Sequence, residues 1–409
     1  MEKVYLDYNA TTPLEPEVLD AIHFALAEAW GNPSSSYEEG QKAKTIITQA
    51  RSHVAKMIGA KPSDIVFTSG GTEGNNMILQ TGLRYYENWR KSLAEAGNGD
   101  NMNHLPHFIT SNLEHDSIKR VLEHFQETGQ AEVTFIPAST KTGRVSVESV
   151  VEAIKPNTCM ITIMSANNET GVIQPIEEIS ANVRSMKRGL RESKILMHTD
   201  AAQTLGKIPV DVFDLDVDYL TIVGHKFYGP RIGAVYVRDL GSGTLPLYPI
   251  FFGGGQERNF RSGTENTGMI AGLGKAAEIV CHNCHSHEIA MRNVRAYLEE
   301  KLKETFGDSV VFNGKLEGSE RIPNTCNVSF LGEGLEGHKI LAKCQVLQAS
   351  IGAACHAQNR PSPILLAIGV PIHIAKNALR LSVGRCTTMS DIDRVVADLK
   401  QAVEQLQSP

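Results

Sequence analysis

Short apolar segments alternate with amphipathic segments between about residue 65 and residue 240. The apolar segments are bounded by turn residues, which is typical of buried strands. The segments between them place apolar residues at helical spacing, which is typical of helices packed on a sheet. The predicted strands lie at residues 64–68, 108–110, 134–137, 160–164, 195–196 and 219–223. This alternation predicts an α/β fold with a mainly parallel sheet, covered by helices on both faces, and a ligand at the C-terminal ends of the strands.

The pattern changes on both sides of this region. Two helices are predicted before it, at residues 16–30 and 39–58. After it, the sequence predicts a long helix at residues 269–306, a strand at 325–330 and two shorter helices at 336–343 and 390–406. We therefore expect a large domain at residues 17–268 and a smaller α+β domain that combines residues 1–16 and 269–409. The polar residues 90–107 are predicted to form an irregular surface insertion.

Composition and charge narrow the class of protein. The 409 residues are 41% hydrophobic and 21% charged, as in ordinary globular proteins, and their formal net charge is −6. Because no basic stripe is present, we expect a small-molecule ligand and no nucleic-acid partner. No apolar run is long enough to span a bilayer, and residues 1–8 lack the features of a signal peptide. We therefore expect a cytosolic protein without membrane attachment, and the odd number of cysteines, seven, suits a reducing compartment.

The candidate chemistry centres on Lys226, which follows Gly224 and His225 at the end of a predicted buried strand. A lysine in this position is poorly solvated, and desolvation favours the neutral form of an amine. A neutral amine can form a Schiff base with an aldehyde, which is how pyridoxal phosphate (PLP) is held. A lone lysine is ordinarily a surface residue. The residues upstream of this one favour the PLP interpretation.

An acid precedes this lysine at the end of the previous predicted strand. Asp200 lies in the sequence His-Thr-Asp-Ala-Ala-Gln at residues 198–203. A carboxylate at a strand end can pair with a pyridine nitrogen, and a protonated pyridine ring is a stronger electron sink. An acid alone is a weak signal, but an acid followed one strand later by Gly-His-Lys is more specific.

The pair resembles the fold-type I PLP enzymes of the aminotransferase class-V family. Other motifs cover essentially the whole chain and narrow the resemblance to the cysteine desulfurases and selenocysteine lyases of that family; they lie at residues 6–13, 31–36, 69–76, 114–115, 166–171, 261–267, 352–356 and 378–385. The resemblance implies a PLP cofactor, a seven-stranded sheet in the large domain and a homodimer with shared active sites.

Several residues acquire cofactor roles. Gly71 and Thr72 stand between a predicted strand and helix, where small residues expose backbone N–H groups that bind a phosphate. By resemblance, His115 would stack on the pyridine ring. The other implied contacts are of Asn168 and Gln203 with the ring hydroxyl, of His225 with the phosphate, and of Thr264 with the phosphate of the neighbouring subunit. Val223 departs from many bacterial cysteine desulfurases, where a serine adds a hydroxyl to the phosphate site; selenocysteine lyases are more similar here.

A second chemical centre is predicted around Cys355. Small residues precede this cysteine and polar residues follow it, which suits an accessible thiol. Gly-Ala-Ala-Cys-His at residues 352–356 resembles the selenocysteine lyases, although the connection from Cys355 to Pro361 is shorter than we expect for the vertebrate members. Arg380 resembles the arginine that grips the substrate carboxylate, together with Asn168. Cys344 is the rival thiol, but its neighbours favour a packed position.

Metal binding is the alternative for the cysteines and histidines at residues 281–287. We expect no metal there, because the cluster lies within a predicted continuous helix, which cannot easily place four ligands around one ion.

The resemblance implies a lyase that converts L-selenocysteine to L-alanine and a selenium species. Lys226, Asp200, His115 and Cys355 would be the catalytic residues, and a selenium-accepting protein is a possible partner. Whether Cys355 attacks selenium or supplies a proton is open. Two alternatives remain: a cysteine desulfurase that carries sulfur on Cys355, and a non-catalytic subunit with the same fold.

Overall fold

The fold is described from a computed structural model that covers residues 2–95, 104–189, 192–352 and 360–407. The strands are β1 (Val4–Tyr5), β2 (Ile65–Thr68), β3 (His107–Ser111), β4 (Glu132–Ile136), β5 (Thr158–Thr162), β6 (Leu196–Asp200), β7 (Tyr219–Val223), β8 (Gly233–Val237), β9 (Val310–Phe312), β10 (Thr325–Phe330), β11 (Leu347–Gln348) and β12 (Ala378–Ser382). The helices are α1 (Pro16–Glu28), α2 (Glu38–Met57), α3 (Gly71–Glu95), α4 (Asp116–Glu127), α5 (Val147–Glu152), α6 (Ile176–Ser185), α7 (Val212–Leu215), α8 (Thr267–Phe306), α9 (Gly337–Lys343), α10 (Pro363–Ala367), α11 (Ile372–Ala375) and α12 (Met389–Gln407).

The central sheet has seven strands in the described chain, in the order β2-β8-β7-β6-β5-β3-β4. Strand β8 runs antiparallel to both of its neighbours, and the remaining pairs are parallel. Successive residues of a strand point to opposite faces. Ile65 and Phe67 accordingly join one apolar cluster, whereas Val66 joins the cluster on the other face. The predicted mainly parallel, doubly covered sheet is confirmed.

A second, smaller core lies around the antiparallel sheet β12-β10-β9, and β1 pairs with β11 in parallel beside it. Helix α8 connects the two cores through its length of 40 residues. Its first half packs on the large sheet through Ile270 and Leu273, and its second half packs in the smaller core through Leu298 and Leu302. The predicted domain boundary at residues 268 and 269 falls at the start of this shared helix and stays a prediction.

The predicted insertion at residues 90–107 is wrong in its first part. Helix α3 continues through Glu95, because residues 90–95 (Arg-Lys-Ser-Leu-Ala-Glu) consist largely of good helix formers. Strand β3 already begins at His107. Residues 90–95 are polar because they form the exposed end of a helix. Residues 96–103 lie outside the described chain. No helix in the described ranges is long and apolar enough to cross a bilayer.

Helices α2 and α8 approach each other closely at Gly274. A Cβ atom on this glycine would lie 2.5 Å from Ala50 Cα and 2.6 Å from Ala50 Cβ. We predict that Gly274→Ala destabilises the protein by about 1–2 kcal/mol, because overpacking exceeds the gain of ~1 kcal/mol in helix propensity. Thermal or denaturant unfolding measures this change. The control Asn293→Ala, on an exposed position of α8, should change stability by less than about 0.5 kcal/mol. A Gly274→Ala protein more stable than the wild type would contradict the close packing.

Candidate active site

A cavity of about 340 Å³ lies at the C-terminal ends of the parallel strands. Residues from the end of β6, the turn after β7, the N-termini of α3 and α4, and β12 line it. The predicted site residues among them are Gly71, Thr72, His115, Asn168, Asp200, Gln203, His225, Lys226 and Arg380. Residues far apart in the sequence thus meet at the edge of the sheet where the alternating pattern predicted a ligand.

Lys226 lies in a single 3-10 turn, Gly224–Lys226, directly after β7. The turn is tight at Gly224, where a Cβ atom would lie 2.6 Å from the carbonyl oxygen of Pro230. Lys226 is partly buried, and its Nζ donates to the carbonyl oxygens of Asn9 (2.7 Å) and Ala10 (2.8 Å). The amine is therefore held against the N-terminal segment at the cavity wall.

Asp200 is the last residue of β6 and is 7% exposed. Its Oδ2 accepts a hydrogen bond from Asn75 Nδ2 (2.9 Å), and its Oδ1 accepts one from the backbone N–H of Ala202 (2.9 Å). Donors to both oxygens orient the carboxylate. An oriented carboxylate is what a protonated ring nitrogen requires as a partner.

Two helix N-termini face the cavity. Helix α3 begins at Gly71, where a Cβ atom would lie 2.5 Å from Val223 Cγ2, so that only glycine lets the helix start this close to β7. Helix α4 is capped by His115, whose Nδ1 accepts from the backbone N–H of Ser117 (3.1 Å). The first turn of a helix such as α3, with its free N–H groups, suits a phosphate.

His225 lies beside Lys226 and contacts Thr11 Oγ1 through Nδ1 (3.1 Å). Burial, together with the charge of Lys226, lowers the pKa of His225 to about 4. The ring is therefore neutral near pH 7, and a neutral imidazole can donate a hydrogen bond to a phosphate oxygen.

Arg380 on β12 is 1% exposed. Its Nη2 donates to Asp7 Oδ1 (2.7 Å) and to Ser350 Oγ (3.0 Å), and its Nη1 donates to the carbonyl oxygen of Asn168 (3.2 Å). The ion pair with Asp7 offsets the cost of burying the guanidinium and fixes its plane. The cavity thus has a guanidinium with a fixed plane, whose remaining N–H groups could bind a carboxylate.

Gln203 is turned toward a second buried lysine. Its Oε1 accepts from Lys207 Nζ (2.6 Å), and its Nε2 donates to the carbonyl oxygen of Asn9 (3.2 Å). Burial lowers the pKa of Lys207 well below its usual value, and the positive charges of Lys226 and Arg380 lower it further. Sequence reasoning missed Lys207, because nothing local distinguishes it from a surface lysine.

Other residues that the sequence interpretation did not assign are Asp7, Asn9, Asn75 and Ser117. Asp7 and Asn9 belong to the motif at residues 6–13, and Asn75 belongs to the motif at residues 69–76. Those motifs could have drawn attention to them, but their hydrogen-bond partners lie elsewhere in the chain and could not be read from the motif.

Two predicted residues are not placed in this cavity. Thr264 lines a separate cleft of about 160 Å³ together with Arg231 and Arg261. Cys355 lies outside the described residues.

The rival Cys344 is partly buried. Burial, together with the charge of Asp398, raises the pKa of its thiol to about 12, so that it is a poor nucleophile near neutral pH. Within the described ranges, no three or more side chains are grouped as a metal site would require.

The donor set matches PLP in chemical terms. An amine, a carboxylate and a helix N-terminus suit its aldehyde, its ring nitrogen and its phosphate. Arg380 adds a group for the carboxylate of an amino acid. Arg380 Nε and Asn75 Oδ1 are buried and have no hydrogen-bond partner within the described chain. Polar groups of this kind are expected where a polar ligand binds.

The sequence is similar to a known family over most of its length. The sequence model of the family described as aminotransferase class-V matches residues 4–395. Selenocysteine lyase of Rattus norvegicus is 56% identical, and the match covers 100% of this chain and 96% of the relative. Selenocysteine lyase of Bos taurus is 57% identical, with 99% and 94% covered. Cysteine desulfurase IscS of Dictyoglomus turgidum is 39% identical, with 99% and 96% covered.

Solved structures agree with this relationship. A NifS-like protein superposes with a TM-score of 0.84 at 30% identity, covering 99% of this chain and 100% of that structure. The structure described as SspA in complex with cysteine has a TM-score of 0.76 at 34% identity, with 94% and 99% covered. The fold of fold-type I PLP enzymes, predicted from the sequence, is therefore confirmed.

Glu114 generates a prediction about pH. Its Oε1 accepts from Ser111 Oγ (2.5 Å) and from the backbone N–H of Met164 (3.0 Å), and burial raises its pKa to about 8. The unfolded carboxyl has a pKa of about 4.3, so the folded state keeps a proton that the unfolded state releases. The stability from this group is present below about pH 4.3 and is lost as the pH rises toward 8.

We therefore predict that the Glu114→Gln protein loses less stability than the wild type between pH 5 and pH 8. Glutamine keeps the shape and the accepting oxygen but cannot titrate. Unfolding curves at several pH values measure the effect, and Glu127→Gln, at an exposed position, is the control. Parallel curves for the wild type and Glu114→Gln would show that Glu114 is charged in the folded protein.

Proposed function

The chain belongs to the aminotransferase class-V family, and from that premise we propose that it is a PLP-dependent lyase that converts L-selenocysteine to L-alanine and a selenium species. The observation that carries this proposal is the meeting of Lys226, Asp200 and Arg380 at one cavity. The higher identity to the vertebrate selenocysteine lyases than to the bacterial desulfurase supports selenium as the element released.

The cofactor would be held at several points. Lys226 would bind it covalently, Asp200 would pair with its ring nitrogen, and the N-terminus of α3 at Gly71 and Thr72 would bind its phosphate, with a hydrogen bond from His225. His115 would stack on the ring, and Asn168 and Gln203 would contact its hydroxyl. When bound, PLP supplies an electron-withdrawing ring that stabilises negative charge at the substrate Cα.

The protein side chains then orient the substrate and move protons. Arg380 would bind the substrate carboxylate through its planar fork, which Asp7 and Ser350 already orient. Asn168 would bind the same carboxylate. The amine of Lys226 would move the proton at Cα of the bound substrate. A fixed carboxylate clamp places Cα and the side chain of the substrate reproducibly, which lowers the entropic cost of reaction.

Cys355 would act on the Cβ–Se bond. As a thiolate it would attack selenium and form an S–Se bond, and the electron pair of the Cβ–Se bond would stay with carbon. As an acid it would instead donate its proton to Cβ, which keeps that electron pair while selenium departs as Se(0), so that alanine forms without an added reductant. Both routes stay open, and both are proposals for a residue outside the described part of the chain.

A cysteine desulfurase is the second candidate function. The same amine, carboxylate and guanidinium would serve cysteine, and the similarity to IscS favours this alternative. A desulfurase would store sulfur on Cys355 as a persulfide, formed when the thiolate attacks the substrate sulfur and the electron pair of the Cβ–S bond stays with carbon. The non-catalytic subunit is disfavoured, because the complete set of Lys226, Asp200 and Arg380 is retained.

We also propose a homodimer in which Thr264 reaches the cofactor phosphate of the neighbouring subunit. Thr264 does not line the cavity of its own chain. Two large apolar side chains are exposed: Phe252 (78%), which is near Thr264 in the sequence, and Trp30 (71%), which follows α1. Burial of such surface stabilises association. The same proposal includes a cytosolic location and a selenium-accepting partner. It also includes the division into two domains at residue 268.

We predict that Lys226→Ala abolishes turnover and removes the absorbance of the covalently bound cofactor. Alanine has no amine to bind the aldehyde or to move the Cα proton. Visible absorbance spectra and selenide release measure both effects, and Lys91→Ala, at an exposed position on α3, is the control. Retention of both the absorbance and the turnover would assign the cofactor to another lysine.

The central test compares selenide and sulfide release from L-selenocysteine and L-cysteine, with an excess of a thiol reductant that converts the released Se(0) or the persulfide to selenide or sulfide. We predict that selenocysteine reacts about tenfold faster or more, because the Cβ–Se bond is weaker than the Cβ–S bond. Cys355→Ala should strongly reduce selenide release, whereas Cys344→Ala should leave it near the wild-type rate. Similar rates on both substrates, with a persulfide trapped on Cys355, would establish the desulfurase alternative.

A further inference from the structure

A chain of hydrogen bonds joins the two predicted ring contacts, Asp200 and His115. Asn75, on the second turn of α3, donates from Nδ2 to Asp200 Oδ2 (2.9 Å) and to Ser117 Oγ (2.8 Å). Ser117 Oγ contacts His115 Nδ1 at 2.8 Å. Asn75 and Ser117 are 1% and 8% exposed, so water does not compete for these contacts.

The orientation of the Asn75 amide is determined by its surroundings. Carboxylate oxygens accept hydrogen bonds, so the amide group that faces Asp200 Oδ2 is the donor Nδ2. A flipped amide would place Asn75 Oδ1 against the Asp200 carboxylate, which is repulsive. Both N–H groups of Asn75 are therefore used, one for Asp200 and one for Ser117.

The same chain determines the tautomer of His115. The backbone N–H of Ser117 donates to His115 Nδ1 (3.1 Å), which requires a lone pair on that nitrogen. Because Ser117 Oγ accepts from Asn75, its hydroxyl proton is free to donate to the same Nδ1. His115 Nδ1 thus accepts two hydrogen bonds, and the proton of the neutral ring resides on Nε2.

We propose that Asn75 is a positioning residue, which orients the Asp200 carboxylate toward the ring nitrogen and, through Ser117, holds His115 as the Nε2–H tautomer. This inference rests on the proposed function, because Asp200 and His115 are the groups through which Asn75 acts. One amide would thereby orient the Asp200 carboxylate that is proposed to pair with the ring nitrogen. Through Ser117 it would also determine which ring nitrogen of His115 carries the proton.

The test compares Asn75→Asp with Asn75→Ala in the PLP-bound enzyme. Alanine removes both donors, and we expect kcat for selenide release to fall roughly ten- to hundredfold with little change in KM. Aspartate has the shape of asparagine but places a second carboxyl against Asp200, so its kcat should be lower still. A residue that only fills space would give the opposite order, because the isosteric variant would then be closer to the wild type.

Further variants keep the result interpretable if the Asn75 proteins fold poorly. Ser117→Ala breaks only the arm to His115, and we expect a several-fold loss of kcat that Ser117→Thr, which keeps a hydroxyl, restores. The double variant Asn75→Ala/Ser117→Ala should be no slower than Asn75→Ala, because both residues belong to one network. Asn76→Ala is the control, since the amide of Asn76 donates only to a backbone carbonyl of its own helix among the described contacts.

The outcomes separate this inference from the proposed function. Suppose that the wild-type protein binds PLP and releases selenide. If Asn75→Asp is then more active than Asn75→Ala, or if Ser117→Ala has unchanged activity, the role of Asn75 is wrong and the proposed function stands. A wild-type protein that neither binds PLP nor releases selenide would overturn the proposed function itself. The bound cofactor's absorbance band, recorded for each variant, reports loss of cofactor separately from loss of catalysis.

Discussion

The hydrogen bonds of Asn9 hold the N-terminal segment between the large sheet and the smaller core. Its carbonyl oxygen accepts from Lys226 and Gln203, and its side-chain oxygen accepts from Lys207 and Asn324. Its amide nitrogens donate to Ser382, Thr325 and the carbonyl oxygen of Asn168. Because Asn9 is 1% exposed, an unmade bond would cost the full desolvation of the group concerned. Asn9 therefore helps to fix the relative position of the two parts of the cavity wall.

The electrostatics of the cavity follow from that arrangement. Lys226, Lys207 and Arg380 bring three basic groups to one buried region, and the charges of Lys226 and Arg380 both disfavour a charged Lys207. Asp7 pairs with Arg380, and Asp200 stands at the end of β6. The two acids therefore balance the charges of Lys226 and Arg380. An anionic ligand would be bound here by local donors, such as the Arg380 guanidinium and the N-terminus of α3.

Small and apolar side chains set the shape of the phosphate end. Gly71 begins α3 in direct contact with Val223, so the chain offers backbone N–H groups and no hydroxyl from that position of β7. Burial, together with the charge of Lys226, lowers the pKa of His225, so its ring would contribute mainly a hydrogen bond. The proposed phosphate site would therefore rely on the helix N-terminus more than in relatives with a serine in place of Val223.

Local patterns in the sequence determined the elements and the ends of the strands. Tyr219–Val223 is a buried apolar run, and Leu196–Asp200 ends in an acid, so Lys226 and Asp200 could be assigned to the same edge of a parallel sheet. The motifs also indicated Gly71, His115 and Arg380. The sequence analysis missed the C-terminal end of α3. Exposed polar residues show no apolar periodicity whether they are helical or irregular.

Only the tertiary structure decided which polar groups pair. Asp7 meets Arg380, and Asn75 meets Asp200 and Ser117, across long stretches of chain. Burial also turned Lys207 and Glu114 from ordinary surface types into groups with shifted pKa values. The physical reason is that strand and helix periods are set by neighbouring residues in the chain. The partner and the solvation of a polar side chain are set by whatever the fold packs against it.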